Sequence, residues 1–127
     1  MAETIADVPQ ITRVVDILHR PWVKAVDASE VDYSAGVAKY EHDTNLVRRV
    51  ALFAKWANYT TVTVKLQRSY DGGTTWTDIS GGALTVSGTS VTVTPVAPKT
   101  RIHVTATLSA GADTLEAWMF EEYGPLP

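Results

Sequence analysis

Residues 60–80 read TTVTVKLQRSYDGGTTWTDIS, and the reading of this stretch decides the fold. Val62, Val64 and Leu66 alternate with Thr61, Thr63, Lys65 and Gln67. A period of two gives one buried face and one wet face, the mark of a β-strand. Asp71-Gly72-Gly73 supplies the positive-φ positions that a tight hairpin turn requires. After the turn, Trp76 and Ile79 are the apolar residues available to the interior. The stretch reads as a β-hairpin.

The same alternation recurs on both sides of it. Residues 11–19 read as a strand with Val15 and Ile17 on one face and Val14 and Leu18 on the other. Apolar residues on both faces call for cover on both sides. Arg20-Pro21 breaks that strand. Residues 22–26 form a short strand with Trp22 expected in the core. Residues 27–43 are the least legible, with a strand expected near 36–41. Further strands are expected near 75–79, 90–95 and 100–108. In the last of these Ile102, Val104, Ala106 and Leu108 face in, and Arg101, His103, Thr105 and Thr107 face out. Ser80-Gly81-Gly82 reads as a turn, followed by a brief strand at Leu84 and Val86. A ninth strand near 114–123 puts Leu115, Ala117 and Met119 on one face and Trp118 and Phe120 on the other. Large aromatics on a nominally polar face ask for a partner.

Residues 46–57 fit two periods. Leu46, Val50, Phe53, Ala54 and Ala57 share a helical face, while Leu46, Val50, Leu52, Ala54 and Trp56 alternate as in a strand. The β-rich surroundings favour a strand. Its odd face then shows Val47, Ala51 and Phe53 beside Arg49 and Lys55, a mixture suited to a subunit contact.

Composition sets the class. The chain has 127 residues, enough for one domain with its own core. It has no cysteine, so disulfides and thiolate metal sites are ruled out. The net charge of −3 gives no reason to expect nucleic acid as a partner. No apolar run is long enough to cross a bilayer, and residues 1–10 lack the apolar segment of a signal peptide. The fold expected is all-β: an antiparallel β-sandwich of jelly-roll or Ig-like type. It has about eight or nine strands and one domain over 11–127, preceded by an extended N-terminal arm at 1–10.

Catalytic signatures are missing. There is no G-x-S-x-G, no H-E-x-x-H and no phosphate-binding glycine loop. His19, His42 and His103 are far apart in sequence. Glu41-His42-Asp43 reads as a solvated loop rather than a metal site, since one histidine beside two acids lacks further ligands at useful spacing. His103 reads as an ordinary histidine on a wet face. Nothing places a carboxylate pair such as Asp16/Asp27 or Glu121/Glu122 across a cleft. The chain is expected to be no enzyme and to need no cofactor. Asn58-Tyr59-Thr60 matches a glycosylation acceptor, which carries little weight without a secretion signal.

Ser69, Asp71, Gly73, Thr75 and Trp76 resemble the Asp-box, a hairpin motif of sialidase-type propellers and other β-domains. The resemblance implies a structural hairpin. Its aspartate gathers backbone N–H groups, and its tryptophan packs beneath the turn and pins it to the core. A propeller itself is excluded by size, since each blade takes roughly 40 residues and about four are needed. Residues 66–79, within a short Thr/Val-rich β-chain with a loose N-terminal segment, resemble small structural proteins of tailed phages, capsid decoration (cement) proteins above all. That resemblance implies a virion protein without cofactor. It would form homo-oligomers and bind the major capsid protein or other virion proteins, bridging subunits through edge strands and arm. Neck or tail components are an alternative. Candidate interface residues are Trp118, Phe120, Phe53 and Tyr70. The other reading is a carbohydrate-binding β-sandwich with a glycan partner, in which Tyr70, Tyr59, Trp118 and Phe120 form the aromatic platform.

Overall fold

The computed structural model describes residues 22–94, 97–109 and 111–123. The expected arm at 1–10 and the expected strand at 11–19 lie outside them. The described residues contain eight strands and no helix: β1 Val23–Ser29, β2 Tyr33–Asp43, β3 Val47–Ala57, β4 Thr60–Ser69, β5 Thr77–Leu84, β6 Thr89–Val93, β7 Lys99–Thr107 and β8 Thr114–Tyr123. They form two antiparallel four-stranded sheets. Sheet I has the order β1-β8-β3-β6 and sheet II the order β2-β7-β4-β5.

The pairing is nested. β4 pairs with β5, β3 with β6, β2 with β7 and β1 with β8. A long antiparallel ribbon rolled up on itself has this order, which is the jelly roll. The β4–β5 hairpin is the tip of that ribbon, so the stretch most legible in the sequence is the centre of the roll.

The interior lies between the central strands of the two sheets. Val50, Leu52 and Ala54 of β3 and Leu115, Ala117 and Met119 of β8 meet Val64 and Leu66 of β4 and Ile102, Val104 and Ala106 of β7, all at 0–1% exposure. Each fully buried leucine, isoleucine or methionine contributes about 1.5–3 kcal/mol of transfer free energy. Residues 46–57 are thus strand, as the alternation of Val50, Leu52 and Ala54 requires. Val47 departs from the expected odd face: it is buried, because the register slips between Val47 and Arg49.

Two expectations are corrected by bulges, and a third by where a side chain packs. β2 is eleven residues long, not six. Between Tyr33 and Val37 it advances four residues while β7 advances two, and between Lys39 and His42 it advances three against two. Each surplus shifts the apolar spacing away from two, which hid the strand. Gly36, at φ +86°, lies in the first slip, and a Cβ there would meet the His103 ring at 2.9 Å. Likewise Ser80-Gly81-Gly82 is no turn. β5 runs through it, advancing from Asp78 to Ala83 while β4 moves only from Gln67 to Lys65. Val86, expected in a strand, is exposed in the β5–β6 connection. The third correction is Trp22, expected in the core. It is 44% exposed and lies on the outer side of sheet I against Phe120, with ring centroids 5.6 Å apart.

Candidate functional site

The hairpin tip is built from its own residues. Ser69 Oγ donates to Asp71 Oδ1 at 2.8 Å and accepts from Gly73 N at 2.9 Å. Asp71 Oδ1 also accepts from Thr74 N at 3.1 Å and Thr75 N at 2.8 Å. The Thr75 amide and Ser69 hydroxyl hold the Asp71 carboxyl down at about 2. Gly73 sits at φ +101°, where other side chains are strained.

Trp76 does not reach the core. Its Nε1 donates to Gly73 O at 2.9 Å and its ring lies under the Arg101 guanidinium at 4.3 Å, on the outer face of sheet II. Asp78 pairs outward with Gln67, so Trp76, two residues before it, shares that face, and Ile79 turns inward to 6% exposure. A period of two cannot place Trp76 and Ile79 on one side. Arg101 continues the row by donating to Gln67 Oε1, Gln67 donates to Asp78, and Lys65 pairs with the same carboxylate. The Gln67 and Lys65 donors hold the Asp78 carboxyl below its usual range.

The histidines do not converge. His103 is half-buried on the outer face of sheet II beside Gly36 and Lys65; desolvation first, then the Lys65 and Arg101 charges, lower its pKa. His42 is not in a solvated loop. It lies in β2, where Nδ1 donates to Tyr40 O at 2.8 Å and Nε2 approaches Glu121 Oε1 of β8 at 2.9 Å. The Glu121 side chain is 3% exposed, so this pair is a polar tie between the two sheets. Among the described residues no group of three or more His, Cys, Asp and Glu is placed to hold a metal.

Tyr59, a candidate for an aromatic platform, is 6% exposed. Its hydroxyl donates to Val31 O at 2.6 Å and accepts from Val31 N at 2.9 Å, so it latches the β1–β2 connection. Tyr70 is exposed at the hairpin tip beside the Arg68 guanidinium, apart from the other interface candidates.

Those other candidates come together on the outer face of sheet I. Register places Phe53 beside Trp118 and Ala51 beside Phe120. Thr92 and Ser90 of β6 extend these two rows on one side; on the other, Lys24 pairs with Trp118 and Trp22 packs on Phe120. The Lys24 ammonium lies 4.9 Å over the Trp118 ring. Trp22, Phe53, Lys55, Ser90 and Trp118 line a depression of about 380 Å³. Charged rows flank the aromatics. Arg48 and Arg49 both pair with Glu122 at one margin, and Lys24 and Lys55 both pair with Glu116 at the other. An apolar centre with a polar rim is the anatomy of a protein interface. Period two alone puts Glu116 and Glu122 on the face of Trp118 and Phe120, but their cationic partners follow only from cross-strand register, and Trp22 carries no local mark of its outer position.

The edges of the sheets are blunted. β1 slips in register between Lys24 and Val26, β2 carries two slips and β5 the glycine bulge. β6 is only five residues long. Bulged and short edge strands resist addition of another strand. Comparison with protein-family models, curated proteins and solved structures finds no match to this chain.

Proposed function

We propose that this chain is a non-enzymatic virion structural protein, a decoration or cement protein that binds and stabilises a tailed-phage capsid as a β-sandwich oligomer whose subunits meet on a sheet face. The observation that carries the reading is the outer face of sheet I: Trp22, Phe53, Trp118 and Phe120 clustered between two charged margins. Such a patch is unfavourable in water unless something covers it. The blunted edges move the contact from the edge strands to the sheet face. By fold-level analogy alone, jelly rolls serve in viral capsids and also in lectins. The glycan reading loses Tyr59 to its latch and Tyr70 to its separate position.

The test is co-sedimentation with empty capsid shells assembled from the major capsid protein encoded nearest to this gene. Saturable binding, weakened by Phe53→Glu, is the expected result. Absence of capsid binding, combined with glycan-array binding by the same preparation, would replace this reading with the lectin one.

A further inference from the structure

We infer that the outer face of sheet I is the contact surface for a second copy of this chain, packed face to face about a two-fold axis parallel to the strands and midway between β8 and β3. The inference deepens the assembly reading by naming the occupant of that face.

The argument begins with register. On this face β8 and β3 present the outward pairs Glu122–Arg49, Phe120–Ala51, Trp118–Phe53 and Glu116–Lys55. A two-fold along the strands brings β8 of one copy over β3 of the other and keeps each row at its own height. Every outward residue of β8 then faces the second copy of its own cross-strand neighbour. Glu122 faces Arg49 of the second copy, and Glu116 faces its Lys55, so both charged rows meet opposite charge. Phe120 faces the small Ala51 of the second copy, and Trp118 faces its Phe53. Large-against-small and aromatic-against-aromatic pairings let the two faces interdigitate. On the flanking strands Lys24 comes over Ser90 of the second copy and Trp22 over its Thr92. A self-complementary patch of this kind is what a two-fold interface requires.

A two-fold perpendicular to the strands does not have this property. It lays Glu122 over Glu116 of the second copy and Arg49 over its Lys55, which sets like charges together. The size is adequate. The four strands, 7, 10, 11 and 5 residues long, spaced about 4.8 Å and rising about 3.3 Å per residue, make a face of about 500 Å² in plan, and side-chain relief raises the accessible area above that. A standard interface buries about 800 Å² per partner. Both carboxylates of the central strands already have cationic neighbours in the single copy, so burial isolates neither of them.

Charge exchange tests the pairing. Lys55→Glu sets Glu116 against a glutamate across the axis, and Glu116→Lys sets Lys55 against a lysine. Each variant alone should dimerise at least about tenfold more weakly than the parent chain by sedimentation equilibrium. An equimolar mixture of the two restores opposite charge at both contacts and should regain dimer of parental affinity. A pair that matters only inside one copy gains nothing from mixing. Unchanged far-UV circular dichroism in each variant reads out folding. A parent chain that stays monomeric at 100 µM, or a mixture no tighter than either variant, overturns the inference. A dimer that disappears when residues 1–21 are removed, with the mixture failing as well, gives the face to that segment and also overturns it. Capsid binding by a strictly monomeric protein would sink the pairing and leave the decoration reading standing. A dimer of the stated charge pattern that ignores capsids would do the reverse.

Discussion

Replacing Tyr59 by phenylalanine removes one oxygen and two hydrogen bonds. The Tyr59 hydroxyl closes on Val31 from both sides, donating to its carbonyl at 2.6 Å and accepting from its amide at 2.9 Å. It thereby ties the β1–β2 connection to the β3–β4 turn, 28 residues away. The ring stays in place in the variant, so no cavity opens. Each hydrogen bond is worth about 0.5–1.5 kcal/mol net. Val31 is 41% exposed, so its freed backbone groups recover water in part. The expected cost is about 1–2 kcal/mol. With a urea m-value of about 1.5–2 kcal/mol/M, the midpoint should fall by roughly 0.5–1 M at unchanged slope. Tyr59→Ala, which also empties the ring's site, should cost about 3–5 kcal/mol. Burial raises the Tyr59 pKa above its ordinary 10.0. The folded state therefore holds this proton more tightly than the unfolded chain. The contribution is complete below about pH 10 and is lost as pH climbs through the raised folded value. The stability gap between tyrosine and phenylalanine should narrow above that pH. A gap within about 0.3 kcal/mol of zero at neutral pH, below the range for even one such bond, would refute the latch.

The Asp71 carboxyl, held at about 2 by the Thr75 amide and Ser69 hydroxyl, lies below its ordinary 3.8. Its contribution is present above pH 3.8 and is lost as pH falls through about 2, so the Thr75 amide should keep its hydrogen-exchange protection at pH 3 and lose it in Asp71→Ala, which removes the acceptor. Gly36→Ala brings a Cβ to 2.9 Å from the His103 ring at φ +86°. It should cost more than Gly88→Ala, where the φ of +80° is strained but nothing lies within 4 Å, and thermal melts of the two variants would rank them. Trp76→Ala should cost about 1–3 kcal/mol in denaturant titration, below the usual range for a buried tryptophan, because the vacated space on the outer face refills with water.

The hairpin was legible because everything that makes it is local. Val62, Val64 and Leu66 announce the strand, and Asp71 to Gly73 announce the turn, within one short stretch. β7 and β8 were legible for the same reason, as their alternation is unbroken. β2 was not, because two register slips erase the period that the eye follows from Tyr33 to Val37 and from Lys39 to His42. β5 runs past its expected end because Gly81 and Gly82, which signal a turn, lie in a bulge here. The candidate face was half visible. Phe53, Trp118 and Phe120 stand out as aromatics on polar sides, whereas Trp22 and Trp76 carry no local mark of the outer positions they take.

By itself the sequence determined which segments are strands with one dry side, and it determined the tip at which the ribbon folds back. Those features need only neighbours a few residues apart. Only the tertiary structure decided that β1 closes against β8, that His42 meets Glu121 between the sheets, and that Phe53 lies beside Trp118. The physical reason is range. A period of two states that a residue has an inside and an outside, but both faces of a sheet obey that period equally. Which distant strand completes either face depends on how the whole ribbon rolls.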